Sequence, residues 1–276
     1  MVRRFIYLTL LWHVGISAHM LSKEAALADR LSKEEKLLYT NIAIASGVLA
    51  WGLTQWGYGD EAFHFRNEGW FERRTSNGGS DKLGHFYTNY LVTRMVAPLY
   101  ESWGYSEHKA ALYGAITAGM LSGALIELGD GFSEHGFSRE DMLVDILGAV
   151  AGYFWSTNSA LAQKVDIRVA YNPFLKTDNV TDVTTDYERM RHLLVLKAGG
   201  FEMFENTFMK YIELHVGYYS RNFNHDTLPL EGRKRYVYAG VGINLSALLQ
   251  PYFGTYAKIF NYYQLPYSYV ERARAY

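Results

Sequence analysis

Val165-Asp166-Ile167-Arg168-Val169 alternates apolar and charged residues without a break. A two-residue period belongs to a β-strand whose side chains point to opposite faces. It marks a change in the chain. After it, Lys210 to Val216 and Arg235 to Ile243 alternate in the same way, and His192 to Ala198 is a more continuous apolar run. Polar turns at Asn172-Pro173 and from Asn222 to Lys234 separate these strands. Leu245 to Tyr263 reads as a helix covering the sheet, and Leu265 to Tyr269 as an aromatic tail. The Tyr- and Gly-rich alternation resembles outer-membrane strands. Four strands are too few, since a membrane barrel needs about eight.

Before residue 164 the spacing is helical. Ser138 is placed to cap a helix ending near Asn158, with Asp141 three residues on completing a capping box. Ser106 caps a helix reaching Glu127, and another runs from about Ser80 to Glu101. Asn41 to Trp56 is an apolar helix, and residues 20–38 read as an exposed amphipathic one. Residues 57–80 form a polar loop with embedded aromatics, of which Trp70 and Phe71 read as a lid over the bundle. Gly114, Ala118 and Ser122 fall four apart, as do Gly119 and Gly123, and Gly148 and Gly152. Such stripes let helix backbones approach closely. The expected fold is therefore α+β: a small-residue-packed bundle of about four helices, then an antiparallel sheet of about four strands with a covering helix. The expected divisions are a leader over 1–18, a helical domain over 20–160 and a β-rich domain over 164–276.

Arg3-Arg4 followed by the 14 mostly apolar residues Phe5 to Ala18 read as an export signal or as an uncleaved N-terminal anchor. The first predicts a periplasmic or outer-membrane-associated protein, the second attachment to the inner membrane. The 17 residues between Lys109 and Glu127 carry no charge, the lower limit for crossing a bilayer. Arg94, Asp145 and a mean hydropathy of -0.14 argue against an ordinary polytopic membrane protein. A net charge of -1 leaves no electrostatic footprint for nucleic acid. With no cysteine, disulfides and Cys-based metal sites are excluded. No P-loop, nucleophile elbow, His-Glu-x-x-His or dinucleotide fingerprint is present.

Three polar patches interrupt the apolar helices: Gly79 to His85, Glu127 to Phe132, and Phe137 to Asp141 with Asp145. Ionisable groups in such surroundings are costly unless paired or functional. Asp81 and His85 share a helix face. Glu127 and Asp130 lie on the stripe of Gly119 and Gly123, and Asp141 and Asp145 on that of Gly148 and Gly152, which turns the carboxylates toward the bundle interior. One His with several carboxylates from three helices suits a divalent cation, with His85, Glu127, Asp130 and Asp145 as ligands. The same set suits acid/base chemistry by His85, Asp81, Lys82 and Glu127, with Asp130, Ser133, Asp141, Asp145 and Trp70 binding a ligand. His135, His64 and Glu61 are further loop candidates.

Glu68-Gly69-Trp70-Phe71, Gly78 to His85, Glu127 to Ser133 and Gly136 to Asp141 resemble, in order, the YfiM-like family, the domain of unknown function DUF2279. The resemblance covers about residues 38–160. More distantly, the order Asp81-Lys82-x-x-His85, Glu127 and Asp145 is similar to VanZ-like membrane proteins. The resemblance implies an envelope location and a helical domain, often described as a lipoprotein, with no established activity. Two departures stand out. The chain lacks the Cys that a lipoprotein acylates, and Asp145 stands where these families lead one to expect Asn.

Two functions follow as expectations. One is a membrane-associated envelope protein whose cluster binds a cation or polar ligand, or locks the bundle. The other is a metal- or His85-dependent hydrolase or transferase acting on envelope lipid or glycan phosphate. A third, weaker reading, a sheet-mediated outer-membrane partner protein, rests on the Tyr/Gly strands.

Overall fold

The computed structural model describes residues 30–175, 182–223 and 229–276. The expected leader over 1–18 and residues 20–29 of the amphipathic helix lie outside the described residues. The fold is α+β, a helical N-terminal region followed by an antiparallel sheet.

The first described helix, α1 (Lys33–Gln55), is continuous where the sequence suggested two. Ser32 and Glu35 cap it reciprocally: Ser32 Oγ accepts from the Glu35 amide at 3.2 Å, and Glu35 accepts from the Ser32 amide at 2.8 Å. A loop follows. Its two-residue strand β1 (Phe65–Arg66) pairs in parallel with β2 (Phe137–Ser138). Helix α2 (Ser80–Ser102) begins after Gly78 and Gly79, both with positive φ. A Cβ on either would overlap a ring, Phe223 or Phe71, so only glycine fits this start.

Helix α3 (Glu107–Ile116) continues through a π-helical stretch, Thr117–Ala124, into α4 (Leu125–Asp130). Helix α5 (Arg139–Thr157) packs along α2, and the short α6 (Ser159–Lys164) leads to the sheet. The small residues act as their spacing predicts. A Cβ on Gly148 would overlap the Phe86 carbonyl oxygen, and one on Gly152 would meet Thr93. Gly119 faces Ala149 and Gly123 faces Asp145.

The sheet has five strands in sequential order: β3 (Val165–Tyr171), β4 (Met190–Lys197), β5 (Ile212–Arg221), β6 (Lys234–Ile243) and β7 (Tyr269–Ala275). The fifth was not expected. Its residues Tyr269 to Ala275 alternate apolar and charged only loosely, and pairing with β6 is what makes them a strand. Strand β5 starts at Ile212 because Lys210 and Tyr211 belong to a 3₁₀ turn, Phe208–Tyr211. The covering helix is shorter than expected. Helix α8 (Leu245–Phe253), which follows the one-turn α7 (Glu202–Glu205), gives way to a 3₁₀ stretch, Gly254–Asn261, where Gly254 takes a positive φ.

The sheet curls. Val169 on β3 exchanges backbone hydrogen bonds with Tyr262 and Gln264, just before β7. Arg191 on β4 reaches Glu271 on β7 at 2.5 Å. Across a flat sheet those strands stand roughly 14 Å apart, at about 4.8 Å per strand.

The enclosed face of the curled sheet mixes a small apolar core, Ala170, Leu193, Val195, Tyr219 and Tyr238, with charged groups, while its opposite face is largely apolar. Its enclosed face holds a buried network: Arg168 donates to Asp166 (2.6 Å), Glu213 (2.8 Å) and Gln264 (2.7 Å), and Lys197 donates to Asp166 (2.6 Å). Arg191 lies over the Tyr219 and Tyr238 rings. The opposite face exposes Leu194, Leu196, Leu214, Val216, Val241, Ile243 and Val270. The helices repeat the inversion. Leu38, Ile42, Leu49 and Leu53 of α1, and Leu143, Ile146, Leu147, Val150 and Phe154 of α5 face outward, while Asp81, Lys82, Glu127, Asp141 and Asp145 are buried. A sheet or helix surrounded by water alone places its polar face outward.

Candidate functional site

The three polar patches meet. Closely packed α2 and α5 bring their first turns together, and α4 ends beside them. Lys82 is 1 % exposed. Its Nζ lies 2.5 Å from Glu68, 3.0 Å from Asp81 and 2.8 Å from Asp141. Burial works against the ammonium, but the charges of Asp81, Asp141 and Glu68 outweigh it and raise the Lys82 pKa. All three ammonium contacts of Lys82, the residue expected to act in acid/base chemistry, go to carboxylates.

One turn on, His85 Nδ1 lies 3.1 Å from Asp145 and 3.7 Å from Glu127. Burial disfavours the imidazolium, yet the hydrogen bond and charge of Asp145, with Asp141 and Glu127 nearby, hold its pKa well above 6.5. Asn89, four residues after His85, donates to Asp145 at 2.5 Å. The other Asp145 oxygen, Oδ2, has no partner among the described residues, and neither has Oδ1 of Asp81. Burial pushes Glu127 up to about 8 and Asp130 up to about 7.

Ser138 shows why the capping box is only half formed. Its Oγ accepts from the Asp141 amide at 3.2 Å, as the sequence suggested. The reciprocal bond goes elsewhere: the Ser138 amide donates to Glu127 at 3.0 Å, which frees the Asp141 carboxylate to face Lys82. One residue thus ties α5 to α4 and supplies a carboxylate to the cluster.

The cluster forms one wall of a cavity of about 620 Å³. Glu68, Asp81, His85, Glu127, Asp130, Asp141 and Asp145 line it, as does His135. Gly47, Val48, Trp51 and Ile126 line another side. Trp51 and Trp56 donate to Asp182, which leads into the pocket-lining Thr184 and Thr185. Tyr187 stacks onto the bare backbone of Gly84.

Other expected residues fall outside. Ser133 is buried in the turn after α4, bonding the Asp130 carbonyl. Trp70 is exposed and does not line the cavity; its neighbour Phe71 packs on Tyr218 and Gly79. His64 and Glu61 pair with each other at 3.8 Å in the exposed loop. Sequence reading passed over Asn89, although 81, 85 and 89 form one helical stripe. It also passed over Trp51, Trp56 and Tyr187, for which no local signal exists.

Two trios bring ligand-type atoms within 4.8 Å of one another: His85, Glu127 and Asp141, and Glu68, Asp81 and Asp141. Lys82 already bonds all three carboxylates of the second, but of the first it bonds only Asp141. The first combines an imidazole with two carboxylates, a donor set suited to Mn²⁺, Fe²⁺ or Zn²⁺.

A helical region carrying a buried His/carboxylate cluster beside a curled sheet is the class these observations define. Residues 67–157 match the family described as "Predicted periplasmic lipoprotein (DUF2279)", a description that agrees with an envelope location. No curated protein and no solved structure matches the chain.

Proposed function

We propose that this is a membrane-associated protein of the cell envelope whose helical domain, residues 20–160, binds a divalent cation through His85, Glu127 and Asp141, with Asp145 orienting the imidazole. The three ligand atoms of this trio, within 4.8 Å of one another on the cavity wall, carry this reading, and the buried Oδ2 of Asp145, the residue that bonds His85, has no partner among the described residues. A carboxylate oxygen without a partner is costly to bury. A cation in the cavity offsets that cost. Asp130 lies at the cavity edge as a further oxygen donor.

Membrane association is supported by the outward aliphatic faces. Two helical stretches, Lys33–Gln55 and Glu107–Asp130, each have a hydropathy of 1.4 and the length to cross a bilayer. Exposed apolar surface on helices and sheet alike fits contact with lipid better than contact with one partner.

The deciding experiment is Mn²⁺ binding and metal content of the full chain beside His85→Ala and Glu127→Ala, each checked for folding by circular dichroism. Stoichiometric metal that is lost in both folded variants is expected. Equal metal in all three proteins overturns the assignment.

A second reading is favoured by Glu127 and Asp130, whose values near 8 and 7 suit general acid/base catalysis. It is a hydrolase or transferase acting on the phosphate of an envelope lipid or glycan. Turnover of a phosphate ester, abolished in folded His85→Ala, is its signature.

A further inference from the structure

Building on the cation reading, we propose that the cavity takes a lipid with a phosphate-type headgroup, held to the protein through the bound cation, with an acyl chain lying along α1 beside Gly47. Three observations converge. First, the protein supplies a trio, His85, Glu127 and Asp141, within mutual reach of one ion. Hard divalent ions take six or more ligands, and Mg²⁺ sites typically complete them with a ligand's phosphate oxygens. The ion keeps positions for the ligand.

Second, the cavity is far larger than those positions require. At about 620 Å³ it lies within the range of small-molecule sites. Its floor is acidic, so a free phosphate is repelled there unless a cation intervenes. The headgroup therefore depends on the ion.

Third, the cavity has an apolar side. Gly47, Val48 and Trp51 line it, and among the described residues nothing lies within 4 Å of where a Gly47 Cβ would stand. Gly47 is exposed, and its neighbours on the same helix face, three and four residues away, are Ala43, Ile44, Ala50 and Trp51. An acyl chain leaving the headgroup beside Gly47 passes from the cavity onto the exposed surface formed by Ala43, Ala50 and Trp51.

That gap provides the test. Gly47→Leu fills the groove, meets no described atom at its Cβ, and improves helix propensity. The full chain in a neutral maltoside detergent is titrated with dioctanoyl phosphatidic acid, with and without Mn²⁺. Intrinsic tryptophan fluorescence, to which the cavity-lining Trp51 and Trp56 contribute, serves as readout, and inorganic phosphate is run in parallel. The expected result has three parts. Wild type binds the lipid at least tenfold more tightly with Mn²⁺ than with EDTA. Gly47→Leu binds Mn²⁺ and inorganic phosphate as wild type does. The same variant loses at least tenfold in lipid affinity. Unchanged lipid affinity in Gly47→Leu overturns the acyl groove. Lipid binding that ignores Mn²⁺ overturns the bridged headgroup, as does tighter binding of dodecyltrimethylammonium in EDTA. Mn²⁺ binding without lipid binding overturns this inference alone, whereas absence of Mn²⁺ binding removes the cation reading beneath it.

Discussion

Lys82 Nζ stands 2.8 Å from the Asp141 carboxylate and joins the first turn of α2 to the first turn of α5 across 59 residues of chain. The same ammonium also bonds Glu68 and Asp81. Removing one partner of a buried ionic group typically costs 3–5 kcal/mol, because the remaining charges stay buried without compensation. Lys82→Met is therefore expected to lose about 3 kcal/mol or more, with a melting temperature lower by several degrees. Because the trio of Glu68, Asp81 and Asp141 then becomes a vacant cation site, millimolar Mg²⁺ should recover part of the loss. Thermal melts with and without Mg²⁺ check both; a variant melting with the wild type contradicts the ion-pair account.

Glycines in the helical domain fall into two kinds, and substitution separates them. At Gly148 a Cβ would overlap the Phe86 carbonyl oxygen, backbone against backbone, so α2 and α5 must move apart. Gly148→Ala is expected to cost about 2–3 kcal/mol by overpacking. At Gly47 the space is open, and Gly47→Ala should be neutral or stabilise by about 0.5–1 kcal/mol. Denaturant midpoints of the two variants provide the comparison.

His192 is buried on β4, and neither ring nitrogen has a partner among the described residues. Burial alone depresses its pKa from 6.5 to about 4. The unfolded chain therefore binds the proton more readily than the folded one. Stability from this residue is complete above pH 6.5 and is lost progressively as pH falls toward 4. The full effect is on the order of 3 kcal/mol, at about 1.4 kcal/mol per unit. His192→Leu removes the titration. It should match wild type at pH 7.5 and exceed it increasingly at lower pH. Parallel stability curves from pH 7.5 to 4 would show that His192 is not held neutral.

Leu214 and Val241 are cross-strand partners on the outward face of the sheet, and both are exposed. Exposed positions accept lysine without burying charge, so Leu214→Lys with Val241→Lys should fold as wild type does. If this face rests on lipid, the double variant floats with phosphatidylcholine vesicles several-fold less than wild type. Equal flotation of the two proteins removes the sheet from the membrane contact.

Much of the helical site was legible because helix geometry maps sequence spacing onto space. The four-residue steps from Gly119 to Gly123 to Glu127, and the steps of four and three from Asp141 to Asp145 to Gly148, put carboxylates and glycines on stripes that do face each other. Asp81 and His85 share a cavity wall for the same reason. The strand pattern was legible in β3, β5 and β6, where alternation is strict, and in the apolar run of β4. Strand β7 was not, because its exposure is nearly uniform and pairing with β6 defines it. The inversion of the sheet was also hidden. Alternation gives two faces but not which one is enclosed.

The sequence by itself determined the order of helices and strands, the small-residue contacts between helices, and the three segments that carry ionisable groups. These depend on periods of 3.6 and 2 residues, which are local properties of the backbone. Only the tertiary structure decided that Lys82 is consumed by three carboxylates, that Glu127 bonds the Ser138 amide, and that Trp51 and Tyr187 border the same cavity. It also decided that Arg168, Asp166 and Glu213 lie inside the curled sheet with Leu193 and Val195, while Leu194, Leu196, Leu214 and Val216 lie outside. Each of these depends on which distant surfaces meet, and the free energy of burying a charge is set by neighbours that sequence spacing does not specify.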